Sequence, residues 1–314
     1  MTGLYDLRAL PDTAPGARPT VATACGKVIL LGEHSVVYGE PALAAPLTPL
    51  RLEVTLTSID DGLEVDLEGT APDGAAETIR RAVDAAAAAL GLEPPSVRVA
   101  VRTGRLRSGM GTSAALGVAL GRALLAWHGE PASDAAVLAG ADAVERLFHG
   151  NPSGVDHTVS ALEEPLWFRK GAAPEPLGGL PALHFALLRR GSSASTAEIV
   201  AGVRERVDAA DALMDTVRRM GRVAVEGRAA WERGDVDAFA TAMTEQQAAL
   251  DVLGVVDATD RDGVAQGLAA GALAAKVTGA GRGGSLLALA ADPTSAHAVA
   301  AAWGADAFSF VVGG

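Results

Sequence analysis

Ala24-Cys25-Gly26-Lys27-Val28-Ile29-Leu30-Leu31-Gly32-Glu33-His34-Ser35-Val36-Val37-Tyr38-Gly39 places a lysine at the head of an apolar run and Gly-Glu-His at its foot. Four consecutive aliphatic residues closed by a glycine read as a buried strand. One cation and two titratable groups then stand near the ends of that strand, although a surface lysine and a solvated turn fit the same residues. A Walker A loop is excluded, because Gly26-Lys27 is followed by Val28, with no upstream glycine and no Ser/Thr to hold Mg²⁺.

Outward from this stretch the pattern is period two. Leu52, Val54 and Leu56 alternate with polar residues, and Leu63, Val65 and Leu67 repeat the alternation beyond Asp60-Asp61-Gly62. The two runs read as a hairpin, and Val97, Val99 and Val101 as a third strand. Asp73 is placed to cap a helix running to about Leu90 and ended by Gly91. Further helices are expected from Gly111–Ser113 and from a cap at Ser133 to about Phe148.

After Gly171-Ala172-Ala173-Pro174 the texture changes. A strand at Leu183–Leu188 leads into a long helical region from Ser195 to about Gly271, with interruptions expected near Gly227 and Gly234. Short strands at Ala274–Val277 and Ser285–Leu289, a helix at Ser295–Trp303 and a strand at Phe308–Val312 follow. Strands and helices mix without regular βα alternation, so the expected fold class is α+β in two domains, residues 1–175 and 176–314.

Length and charge narrow the function. The 314 residues suit two domains, each with its own core. A net charge of −12 argues against a general binder of nucleic acid or anionic membrane, either of which needs a basic face. Cys25 is the only cysteine, so no intramolecular disulfide forms, which fits a reducing compartment. The N-terminus lacks a basic region followed by an apolar run, and no stretch reaches the roughly 18 apolar residues of a membrane span. A cytoplasmic protein is expected.

Three further segments carry chemistry. Ser108-Gly109-Met110-Gly111-Thr112-Ser113 runs straight into an apolar helix; its glycines allow close backbone approach and the helix start favours an anion. Thr112 or Ser113 could offer a hydroxyl to Mg²⁺, while an ordinary capped helix remains the plain alternative. Lys276-Val277-Thr278-Gly279-Ala280-Gly281-Arg282-Gly283-Gly284-Ser285 holds four glycines in six residues. Neither glycine segment suits a dinucleotide fingerprint, since one precedes a strand and the other starts well past its strand. In the segment from Glu145 to His157, Glu145 and Asp156 can converge across a Pro/Gly loop. One could then hold Mg²⁺ and the other accept or orient a hydroxyl proton; solvated loop charges are the alternative.

Taken in order, the four segments resemble the GHMP kinase superfamily, and within it the mevalonate kinases. Lys27 to Gly39 resembles the first motif, Gly109 to Ala115 the phosphate-binding motif and Lys276 to Ser285 the third. His149-Gly150-Asn151-Pro152-Ser153-Gly154-Val155-Asp156 resembles the catalytic loop in its mevalonate kinase form. The resemblance implies an N-terminal domain like ribosomal protein S5 domain 2, a ferredoxin-like C-terminal domain, and ATP with Mg²⁺ between them. It implies that Ser108, Gly109, Met110, Gly111, Thr112 and Ser113 cradle the phosphates and that Ser113 and Glu145 hold Mg²⁺. Asp156 would orient or deprotonate the primary alcohol of mevalonate, Lys27 would assist it, and Glu33, His34, Thr196, Gly279 and Ala280 would line the substrate. The implied product is 5-phosphomevalonate, for isoprenoid synthesis.

The chain departs from the family pattern at Arg105 and Arg107, where Pro and Gly are usual, at Arg282, in place of a motif glycine, and at Ser285. The arginines could alter loop conformation or add phosphate contacts. Another alcohol, such as phosphomevalonate, a sugar or homoserine, is the rival substrate. A non-catalytic binding module is the rival class, disfavoured by the presence of Lys27, Ser113, Glu145 and Asp156 together. The first motif holds no second Lys or Arg between residues 26 and 50, which favours the less charged substrate. A homodimer is compatible with the sequence.

Overall fold

The N-terminal half is built around a sheet whose longest strands carry the alternation that the sequence shows. The computed structural model describes residues 19–68, 73–106, 109–150, 152–190 and 196–314; structural statements refer to these. The first sheet comprises β1 (Thr20–Leu31), β2 (Ala42–Ser58), β3 (Leu63–Leu67), β4 (Val97–Arg102), β5 (Leu166–Phe168) and β6 (Glu175–Pro176). Its order is β3-β4-β2-β5-β6, with β1 paired antiparallel to β2. Helices α1 (Ala75–Leu90), α2 (Thr112–Trp127), α3 (Asp134–His149) and α4 (Val155–Leu162) accompany it.

The expected hairpin between residues 52–56 and 63–67 does not form. β4 lies between the two runs, antiparallel to β2 and parallel to β3. Burial explains the order: Val97, Val99 and Val101 are buried, whereas the apolar residues of β3 are half-exposed and suit an edge. The α1 crossover supplies the length that a parallel pairing needs. Nor does Asp73 cap α1; the cap position is Gly74, without a side-chain hydrogen bond. Ser133 does cap α3, accepting from the Ala136 N–H.

The C-terminal half forms a second sheet from β7 (Leu183–Leu188), β8 (Ala274–Thr278), β9 (Ser285–Ala290) and β10 (Ala307–Val312), in the order β10-β7-β9-β8. Between β7 and β8 run α5 (Thr196–Ala209), α6 (Asp211–Glu232), α7 (Val236–Val252) and α8 (Ala258–Ala269), and α9 (Pro293–Trp303) precedes β10. Gly234, at φ +69°, does separate α6 from α7, but Gly227 lies inside α6 without breaking it. A Cβ at Gly227 would stand 2.2 Å from Leu31 Cδ1, so this glycine serves close packing of α6 on the end of β1.

The second sheet is covered on both faces. Phe185 and Leu187 join a large apolar cluster that also contains Leu30, Leu47 and Leu52 of the first sheet. Ala186, between them, faces a second cluster with Val277, Leu286 and Trp303. One core therefore runs from sheet to sheet, and the ends of β1 and β8 meet beside it, where Thr278 Oγ1 donates to Ile29 O at 2.9 Å.

Candidate active site

Lys27 sits just past a bulge in β1, between Cys25 and Gly26, and is almost wholly buried. Its backbone N–H donates to Met110 O at 2.9 Å, which docks the first glycine loop on the strand. The approach demands glycine twice: a Cβ on Gly26 would meet Met110 O at 2.8 Å, and one on Gly111 would meet Lys27 Cγ at 2.9 Å. Lys27 Nζ then stands 3.1 Å from Asp156 Oδ2. Asp156 lies in the first turn of α4, behind Gly154 at φ +94°.

Thr112 and Ser113 open α2, where the first-turn N–H groups have no carbonyl partner within the helix. Gly109, at φ +87°, is exposed and faces open space. The Met110 side chain, by contrast, points into the core, so only its backbone belongs to the loop. Ser108 and Arg107 lie outside the described residues.

Glu145, on α3, is buried beneath Ser113, and its Oε1 has no hydrogen-bond partner among the described residues. Burial holds its carboxyl above the usual carboxylate range and the charge of Asp156 adds to this, while the Ser113 hydroxyl, His149 and Lys27 work the other way. His149 Nε2 lies 3.1 Å from Ser113 Oγ and 3.9 Å from Glu145 Oε1. A buried carboxylate oxygen without a donor, beside a hydroxyl and an anion-favouring helix start, fits Mg²⁺, a hard cation that takes few protein oxygens and completes its shell with phosphate and water. Among the described residues no group of three or more acidic, His or Cys side chains is assembled for a metal.

The Gly-Glu-His turn forms the opposite wall. Glu33 is buried against Lys276 in an ion pair, and its Oε2 accepts from Gln246 Nε2 at 3.3 Å. His34, at φ +61°, donates from Nε2 to Ala280 O at 3.1 Å. Burial lowers its pKa to about 4, with Arg206 assisting and the Ala280 contact opposing, so the ring is neutral at physiological pH. Neither Lys276 nor Gln246 is singled out by sequence reasoning. The signal for Lys276 was a lone charge inside the apolar run Ala274-Ala275-Lys276-Val277, where an unpaired lysine would be costly.

These walls enclose a cleft of about 800 Å³. It brings together Lys27, Glu33, His34, Gly109, Gly111, Thr112, Ser113, Asp156, Gly279 and Ala280, with His149 alongside. The cleft is also lined by Leu52, Leu67, Ile79, Val101 and Leu116, with Glu68, Asp73, Thr78 and Thr103 among them. Glu145 stands behind the lining. Thr196 begins α5, and its side chain lies outside the described residues; Val200 of the same helix reaches the cleft. Arg282 adopts φ +51°, so the second glycine loop keeps a left-handed residue there despite the side chain, and Arg282 N donates to Val255 O at 2.9 Å. Arg105 lies over the Phe308 ring at 6.0 Å.

A glycine-loop cleft between two α+β halves, with a lysine–carboxylate pair at its floor, accompanies a family match that makes the class plain: the chain belongs to the GHMP kinase family, whose members phosphorylate alcohols. The signature of the GHMP kinases N terminal domain matches residues 77–164, and that of the GHMP kinases C terminal matches residues 228–309. Among its relatives is a mevalonate kinase of Aeropyrum pernix, 34% identical over 87% of this chain and 89% of the relative. A mevalonate kinase of Thermococcus sibiricus is 31% identical over 89% and 92%. The crystal structure of L. major mevalonate kinase in complex with R-mevalonate shares the fold, with a TM-score of 0.82 and 24% identity over 95% of this chain and 96% of that one.

Proposed function

We propose that this protein transfers the γ-phosphoryl group of ATP to the primary alcohol of mevalonate, giving 5-phosphomevalonate. The observation that carries the reading is the Lys27–Asp156 contact at the floor of the cleft, in a chain whose curated relatives are mevalonate kinases. Asp156 accepts or orients the hydroxyl proton, and Lys27, 3.1 Å from its Oδ2, holds the carboxylate in place and faces the attacking oxygen. The N–H groups of residues 109–113 hold the phosphates, and the part of the cleft bounded by Leu67, Ile79, Val101 and Leu116 takes the base. Ser113 and Glu145 would hold Mg²⁺, which would supply charge neutralisation at the phosphates. Positioning and charge dominate such a loose transition state.

His34, Gly279 and Ala280 line the alcohol's end of the site. We assign residues 1–175 and 176–314 to the two domains and place the enzyme in the cytoplasm; none of the helices described is long and apolar enough to cross a membrane. ATP consumption measured across mevalonate, phosphomevalonate, galactose and homoserine tests the substrate. Mevalonate is expected to lead in kcat/KM. A preference for any other by about tenfold, roughly 1.4 kcal/mol of transition-state discrimination, would keep the kinase and overturn the substrate.

A further inference from the structure

Three residues at alternate positions along β8 and just beyond it reach the first motif. Lys276 Nζ pairs with Glu33, Thr278 Oγ1 donates to Ile29 O, and Ala280 O accepts from His34. The charged member of this seam is fully enclosed: Lys276 is 0% exposed and Glu33 1%. Lys276 also donates to Val277 O at 3.0 Å, and both Glu33 oxygens are engaged, one by Lys276 and one by Gln246. The next residue of α7, Gln247, accepts from the Val277 N–H at 2.9 Å.

Both oxygens of this buried carboxylate are turned to Lys276 and Gln246, although its residue borders the cleft. Its chain neighbour His34 and the loop residue Ala280 do reach the cleft wall. Burying two charges is costly, and an apolar pair of equal volume often stabilises a fold as well or better. What an ion pair adds is direction, because its bonds permit one register between the turn after β1 and the loop after β8.

We propose that the Lys276–Glu33 pair is a positioning element for phosphoryl transfer, holding His34 and Ala280 in place against the alcohol, with Glu33 acting through them and not by contact with substrate. This rests on the alcohol-kinase reading above. Lys27 and the Gly109–Ser113 loop are anchored separately, through Met110, so nucleotide binding should be spared.

The decisive variant is the double replacement Glu33→Leu/Lys276→Met, which removes both charges and keeps the volume. It should fold with near-normal thermal stability. The KM for mevalonate should rise by about tenfold or more, the scale that small misplacements reach, while the Kd of a non-hydrolysable ATP analogue stays within about threefold. The ¹⁵N signals of the His34 ring, assigned by comparison with His34→Asn, should lose their fixed Nε2–H pattern. Wild-type KM and kcat with an unchanged His34 pattern would overturn the proposal and leave the pair a structural one. If the double variant does not fold, Glu33→Asp keeps both charges and shortens the reach: a raised KM in a folded protein supports positioning, and a wild-type KM overturns it. A wild-type enzyme inactive on mevalonate would defeat the functional reading instead, and the His34 signals alone would then decide the positioning role.

Discussion

Replacing Gly111 by alanine tests whether the position of Lys27 limits turnover. Gly111 holds φ +72°, and its new Cβ would lie 2.9 Å from Lys27 Cγ. Left-handed backbone costs an alanine about 1–2 kcal/mol, which lowers the melting temperature by a few degrees. The clash adds a displacement: ordinary contact begins at 3.4 Å, so Lys27 Cγ must retreat by about 0.5 Å. Nζ then moves from its 3.1 Å contact with Asp156 toward the limit of a hydrogen bond. A shift of this size should cut kcat by roughly tenfold, since misplacement by about 1 Å can cost a hundredfold. Gly129 provides the control, because it has the same φ of +72° and nothing within 4 Å of an added methyl group. Gly129→Ala should lose similar stability with full activity. Thermal melts and steady-state kinetics on both variants decide the matter, and equal kcat in the two would refute the role given to Lys27.

Asp156→Asn should lower kcat by about a hundredfold or more and leave the affinity for an ATP analogue unchanged; calorimetry and turnover read the two, and wild-type turnover would remove Asp156 from the chemistry. Ser113→Ala and Glu145→Gln should each raise the Mg²⁺ concentration required for half-maximal activity, and an unchanged requirement in both would move the metal elsewhere. His34 gives a pH prediction. Its pKa is lowered from 6.5 to about 4 on folding, so between these values the unfolded chain binds more protons and stability falls as pH falls. The full difference is roughly 3 kcal/mol, present above pH 6.5 and lost by about pH 4. Denaturant titrations of wild type and His34→Asn, which tolerates positive φ, should diverge in slope across that window; parallel slopes would mean that His34 is not buried as described.

Local pattern was legible where one face of an element is buried. The alternation at residues 52–56 and 97–101 reports one buried face, and the cap at Ser133 reports a partner three residues on. Strand order was not legible, because both runs alternate in the same way, and only the assembled sheet shows that Val97, Val99 and Val101 are buried while Leu63, Val65 and Leu67 stay half-exposed at the edge. Gly227 misled for a related reason: glycine marks a break or a close approach equally well, and only Leu31, nearly two hundred residues away, tells which. In the site, Lys27 and Asp156 could be named from motif order. Their 3.1 Å contact could not. Glu33 carried the opposite difficulty, since its neighbours in sequence suggest a cleft residue and its partners Lys276 and Gln246 come from the far end of the chain.

The apolar cluster shared by the two sheets limits how the enzyme can move. Phe185 and Leu187 belong to one buried apolar cluster with Leu30, Leu47 and Leu52 of the first sheet, and exposing each such side chain costs about 1.5–3 kcal/mol. Swinging the halves apart as hinged jaws would break several of these contacts in every catalytic cycle. Substrate entry and product escape are therefore expected to belong to the rims of the cleft, to the glycine loops and the start of α5, while the two sheets travel as a single block.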